Sequence, residues 1–258
     1  MTAPAPRWAE LRRHTAARVA LGRAGDGLPT AAHLDFQEAH ARARDAVWSA
    51  LDAAALEAAL APLGLSTLRV ASEAPDRRTY LLRPDLGRRL RPGDRERLAG
   101  AASPGALVLV VADGLCASGV QAQAAPLVGA LLPALRRSGW QVGPVVIASQ
   151  ARVALGDEVG EAAGAAAVAV LIGERPGLTA LDSLGAYLTW APRRGRADAE
   201  RNCISNIRPG GLGVAEAARK LAWLLDAARR AGLTGVGLKD EEPGLPAAEA
   251  APRLSRTP

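Results

Sequence analysis

Lysine and aromatic residues are scarce in this chain. Lys220 and Lys239 are the two lysines among 32 basic residues, and Phe, Trp and Tyr make up 3% of 258 positions. The net charge of +6 therefore rests on arginines scattered along the sequence with few rings beside them. That pattern argues against a nucleic-acid groove, which needs clustered charge and stacking partners. Cysteines number two, Cys116 and Cys203, with no CxxC spacing, which excludes a disulfide framework and makes a poor zinc site. The three histidines, His14, His33 and His40, all lie early. His33 and His40 share a helical face but have no third ligand beside them. No apolar run approaches the eighteen residues of a membrane span, since ALVLVVA (106–112) and AAAVAVLI (165–172) are far too short, and Met1–Pro6 is not followed by the apolar core of a signal peptide. These absences predict an intracellular protein with neither membrane nor structural metal. No GxGxxG follows a strand and no Walker phosphate loop exists.

What remains is a composition of 49% apolar and 22% charged residues, and a length that supports one large core or a domain with an appended segment. Helical spacing of Trp8, Leu11, Thr15 and Val19 predicts a helix up to Leu21, which GRAGDGLP breaks. A long helix is expected over 30–51, with Ala32, Phe36, Ala39, Ala43, Ala46, Val47 and Ala50 on one face. A short helix over 52–61 and a strand in STLRVASEA (66–74) follow. RPGDRER (91–97) reads as a boundary between a mainly helical segment, 1–100, and a second domain, 101–240, with 241–258 as a flexible tail.

Beyond that boundary strands and helices alternate. ALVLVVADG (106–114) and PVVIAS (144–149) read as buried strands, and Pro126 and Pro133 between them as the start or kink of short helices. ALGDEVGEAAG (154–164) is expected as helix, 165–174 as a third strand and AYLTWAP (186–192) as a fourth. A helix with the stripe Val214, Ala217, Ala218, Leu221, Leu224, Leu225 and Ala228 closes the pattern. The economical fold is α/β, a Rossmann-like, doubly wound, mostly parallel sheet.

Ligands of such sheets sit beyond the strand C-termini. Those ends lead to Asp113, to Arg152 and Val153, to Glu174 and, through the loop after the fourth strand, to Cys203. Each has a plain structural reading as well: Asp113 as a turn residue, Glu174 as a cap or a partner of Arg175, Val153 as core, Cys203 as a small buried hydrophobe. DGLCASG (113–119) places Cys116 on a turn like a nucleophile elbow, but every histidine lies upstream, in the wrong order for a hydrolase triad. PGGLG (209–213) could present backbone N–H groups at a helix start to an anion or amide. These residues describe a crevice without catalytic groups of its own.

GRAGDGLPT (22–30), YLLRPDLGRRL (80–90), VVADGL (110–115), ARVALGDEVGE (151–161), LIGERPGL (171–178) and RNCISNIRPGG (201–211) together resemble the small, or light, subunit of ethanolamine ammonia-lyase, in the family's order and spacing over about residues 11–240. The resemblance implies a Rossmann-like domain that binds adenosylcobalamin at its interface with a large TIM-barrel subunit, the partner that carries the ethanolamine site. It places corrinoid contacts on the valine of ARV, Val153, the glutamate of GERPG, Glu174, and the cysteine of CISNI, Cys203. It also implies conversion of ethanolamine to acetaldehyde and ammonia through cobalt–carbon homolysis and hydrogen abstraction. No DxHxxG motif is present, so the cofactor is expected to keep its own dimethylbenzimidazole on cobalt. A cytoplasmic place follows, with a bacterial microcompartment as the variant; relatives sent there can carry a longer N-terminal leader. A second class stays open, a stand-alone Rossmann-like enzyme or nucleotide-binding module.

Overall fold

The computed structural model describes residues 10–242. At its centre is a six-stranded sheet of β1 (Thr67–Ala71), β2 (Leu107–Ala112), β3 (Val142–Ser149), β4 (Ala167–Gly173), β5 (Leu184–Trp190) and β6 (Asn202–Ile207), in the order β1-β3-β2-β4-β5-β6. The first four strands pair in parallel. β5 and β6 pair antiparallel, each with its predecessor. The sheet is therefore mixed, and its antiparallel third is the part that the expected crossover pattern does not contain. The reason is local: the connections into β5 and β6 hold no long helix, and chains that return without a crossover pair antiparallel.

Residues alternate between two cores. Leu107, Leu109 and Val111 of β2 face a layer formed by α2 (Ala53–Leu60), α5 (Ala117–Arg137) and α7 (Val214–Ala231). Val108, Val110 and Ala112 face the other way, toward α4 (Asp94–Leu98) and α6 (Leu155–Ala163). Every residue of β2 is buried, as befits a central strand covered on both faces. On the second face the cover is incomplete. Past α6, the outer half of the sheet around Tyr187 and Cys203 has no helix over it among the described residues, and this gap is where cavities open.

Several expectations change. The helix expected over residues 8–21 survives at Glu10 and Leu11, with residues 8 and 9 outside the described part; beyond, the chain turns. The Thr15 hydroxyl accepts from the Ala17 N–H at 3.0 Å, a local bond that competes with helix. Pro126 and Pro133 do not divide α5, which runs unbroken through both. Both prolines stand on its exposed face, while Val120, Leu127, Val128, Leu131 and Leu135 are buried opposite, so packing offsets the lost backbone bonds. α1 (Thr30–Trp48) forms as expected, yet Ala39 is its one buried residue, and Leu34, Phe36 and Trp48 remain exposed. β1 comes from before residue 100 and joins the same sheet, and Asp94 of the RPGDRER stretch is buried, accepting from the Ala71 N–H at 2.9 Å. The sheet thus draws on both sides of that stretch. The tail expected at 241–258 lies outside the described residues from 243 onward. No single helix among the described residues is long and apolar enough to cross a membrane.

Candidate functional site

The floor of the site is a close approach of two chain segments. β2 ends in Asp113-Gly114 and β4 in Gly173, and the Leu115 N–H donates to the Gly173 carbonyl at 2.9 Å. A Cβ on Gly173 would lie 2.1 Å from the Cys116 carbonyl oxygen, and one on Gly114, which has φ +56°, would lie 2.2 Å from the Gly173 oxygen. Glycine is needed at both positions because two backbones occupy the space of a side chain.

Asp113 acts from beneath this floor. It is buried, and its Oδ2 and Oδ1 accept from the N–H groups of Gln150 at 2.8 Å and Ala151 at 3.0 Å. The Arg77 guanidinium lies 3.6 Å from Oδ2. Burial pushes the Asp113 carboxyl up, and the two N–H donors and Arg77 oppose that shift. The carboxylate thereby holds the chain entering the ARV segment, where Gln150 sits at φ +53°. Asp113 is a positioning group beneath the crevice.

Arg152 follows. Its guanidinium stacks at 4.7 Å on the buried ring of Tyr80 from α3 (Arg77–Leu82), with Arg77 also over that ring at 4.8 Å, and its Nη2 donates to the Tyr80 carbonyl at 3.2 Å. Its Nε is buried with no hydrogen-bond partner among the described residues. The Tyr80 hydroxyl donates to the Ala151 carbonyl at 3.2 Å, and burial raises its pKa to about 12, so it stays protonated.

Val153 lines two adjoining cavities, of about 310 and 250 Å3, and Arg152 and Tyr187 line both with it. Glu174 belongs to the first and Cys203 to the second. The three residues singled out in the sequence, 50 positions apart at the extremes, thus meet around Tyr187. Glu174 does not pair with Arg175. Its Oε2 accepts from the Ser183 hydroxyl and from the Asn206 N–H at 3.1 Å, which fixes the carboxylate and leaves Oε1 without a hydrogen bond among the described residues. Cys203 is not in a loop but in β6, directly across from Tyr187 of β5. Its surface is exposed, yet crowding by its neighbours and the charge of Glu174 push the thiol pKa up, with Tyr187 partly opposing the shift. Burial also raises the Tyr187 pKa. Both groups are therefore neutral at pH 7, so Cys203 lacks the thiolate that nucleophilic attack requires.

Below the second cavity Arg201 is buried and paired with Asp157 at 2.5 Å, and it also donates to Thr189 at 3.2 Å. This pair ties β6 to the first turn of α6. Cys116 is fully buried at the start of α5, its sulfur 2.6 Å from the Leu181 carbonyl, which suits a packed thiol and not an elbow nucleophile. Two of the PGGLG N–H groups are taken up within the turn: Gly211 donates to the Arg208 carbonyl and Leu212 to the Asn206 carbonyl, at 3.0 and 2.8 Å.

Tyr80, Tyr187 and Arg201 escaped the sequence reading. Two of them were legible in retrospect as the chain's sole tyrosines; Arg201, one arginine among many, carried no signal.

The family model for the ethanolamine ammonia-lyase light chain matches residues 5–239. The ethanolamine ammonia-lyase small subunit of Rhodopseudomonas palustris (strain BisA53) is 56% identical, covering 99% of each chain. That of Azotobacter vinelandii is 55% identical over 91% of this chain and 88% of its own, and that of Xanthomonas campestris pv. campestris 54% identical over 93% and 90%. The crevice with Val153, Glu174 and Cys203 around one tyrosine is thus carried by a chain that belongs to the ethanolamine ammonia-lyase small-subunit family.

Proposed function

We propose that this chain is the small subunit of an adenosylcobalamin-dependent ethanolamine ammonia-lyase and forms one wall of the corrinoid site, against a large TIM-barrel subunit that carries the ethanolamine site. The observation that supports this most is the convergence of Val153, Glu174 and Cys203 on neighbouring cavities. Their chemistry fits a macrocycle fringed with amides. Glu174 Oε1 is a fixed acceptor for amide N–H, Arg152 and Tyr187 supply donors for amide carbonyls, and Val153 offers an apolar contact for the ring. Cys203 is small enough to let the ring approach β6, where a larger side chain would stand in the way. The cofactor supplies the radical chemistry; the chain's residues bind and orient it and keep one face dry. The Rossmann-like description of the sheet belongs to this reading, with the site over the C-terminal ends of β2 and β4.

Exposed apolar surface on α1 also bears on the partner. Leu34, Phe36 and Trp48 of α1 are exposed, apolar surface of the kind that a second subunit covers.

The test is reconstitution. The chain alone should show little deamination and hold cobalamin weakly, and addition of the large subunit should restore both. Glu174→Ala should lower cobalamin retention by the complex about tenfold, the worth of one charge-assisted hydrogen bond, with unchanged circular dichroism. Unaltered affinity in that variant, or turnover and nucleotide binding by the isolated chain, would overturn the proposal in favour of a self-sufficient module.

A further inference from the structure

A third cavity, of about 490 Å3, adjoins the corrinoid crevice between α1 and the segment after Glu174. Arg44, Arg152 and Arg175 line it together with His40, while Val47, Trp48, Leu81 and Leu178 provide apolar wall, and no aspartate or glutamate lines it. The two cavities around Tyr187 each include an acid, Glu174 in one and Asp198 in the other. Elsewhere arginines of this chain find carboxylates: Arg69 with Glu57, Arg83 with Asp85, Arg89 with Glu73, Arg95 with Glu161, Arg201 with Asp157. Around the third cavity that pattern fails. Arg44 has a distant, exposed contact with Asp45 at 3.8 Å, and neither Arg152 nor Arg175 makes an ion pair among the described residues. Three like charges about one hollow repel each other, and the repulsion is relieved when an anion enters.

We infer that this cavity is an anion subsite and that it receives the phosphodiester of the corrinoid's nucleotide loop; the inference rests on the cofactor role proposed above. Cobalamin's peripheral amides are neutral, and its one permanently anionic group off the cobalt is the phosphodiester that links the aminopropanol arm to the ribonucleotide. A phosphodiester is repelled by Glu174 and attracted by guanidinium forks, which match its two free oxygens. It therefore belongs in the adjoining hollow that no acid lines, across Arg175 from Glu174. Arg152 reaches both places, because it lines all three cavities. Its stacking on Tyr80 holds it in place, so less side-chain freedom is lost on binding. Arg175 lines the third cavity and the first of the crevice pair, and it marks the border between them.

The experiment compares two corrinoids on the complex with the large subunit. Cyanocobalamin carries the nucleotide loop, and dicyanocobinamide lacks both phosphodiester and base. Arg44→Gln and Arg175→Gln remove charge at similar volume and should each weaken cobalamin retention about tenfold, the worth of one hydrogen bond to a charged group, and cobinamide retention less than about twofold. Rising salt should weaken cobalamin binding by the unaltered complex, and less so in the variants, because a partly exposed charge contact is screened. If the unaltered complex retains no measurable cobinamide, that salt slope decides. Equal losses for both corrinoids, an undiminished cobalamin affinity, or identical salt slopes would overturn the subsite while leaving the cofactor role standing. An unaltered complex that retains neither corrinoid would overturn both.

Discussion

Cys203 shows how far a side chain's role depends on what surrounds it. Taken alone, Cys203 reads as a small buried hydrophobe, yet in the folded chain it is exposed. In β6 it faces Tyr187, with Glu174 nearby, and its pKa is raised. The thiol form should therefore persist to higher pH than in a small free thiol. Alkylation by iodoacetamide, followed by peptide mass spectrometry so that Cys116 is resolved separately, should be slower at Cys203 than at glutathione at pH 8 despite its exposure. A rate equal to or above that of glutathione would mean a thiolate that this environment does not provide. Glu174 is the opposite case. Ser183 and Asn206 fix its Oε2, so the charge that sequence reasoning allowed for a simple cap or an Arg175 partner is held in place facing the crevice.

The Asp157–Arg201 pair is what anchors β6, the strand that carries Cys203, to α6. Both side chains are almost wholly out of solvent, and burial pushes the Asp157 carboxyl up against the pull of Arg201. Removal of one partner strands a buried charge. Arg201→Met should cost about 3–5 kcal/mol in urea unfolding. The double change Asp157→Leu with Arg201→Met should recover more than half of that loss, since two packed apolar side chains leave no orphan charge. Equal destabilisation by the single and double variants would mean that the pair's hydrogen bonds to Thr189 and the Arg196 carbonyl, not its charge balance, hold the strand. At the other edge of the crevice, Gly173→Ala places a methyl group 2.1 Å from the Cys116 oxygen and 2.6 Å from that of Asp113. Both obstacles are backbone, so the β2 and β4 ends must separate, at a cost of about 2 kcal/mol or more by the same measurement.

Taken as one body, the molecule is closed on one face of its sheet and unfinished on the other. Among the described residues, α2, α5 and α7 cover the first face apart from its β1 edge, where Arg69 is exposed, while the second lacks a helix beyond α6, and α1 stands with most of its length in solvent. A wall that meets its ligand from one side leaves the ligand's other side in water, so binding forgoes much of the apolar burial that closure would add. The isolated chain should accordingly hold cobalamin at least about tenfold less tightly than the complex, a difference of 1.4 kcal/mol or more, measured by equilibrium dialysis of each. Equal affinities would mean that this chain's crevice is a complete site.

Strands and helices were legible wherever the pattern is local: the unbroken apolar runs of β2 and β4, the stripe of α7 and the short helix of α6 follow from spacing in single segments. The motifs ARV, GERPG and CISNI likewise carry Val153, Glu174 and Cys203, the residues that line the two adjoining cavities. The antiparallel turn of β5 and β6, the passage of α5 through two prolines and the meeting of Val153, Glu174 and Cys203 about Tyr187 depend on contacts between distant segments. Pairing direction reflects what lies between strands in space, a proline is tolerated when the opposite helix face is buried, and an arginine is structural or free according to whether a carboxylate arrives from elsewhere. Periodicity along the chain carries the first kind of information, and the second exists once separate stretches share a surface.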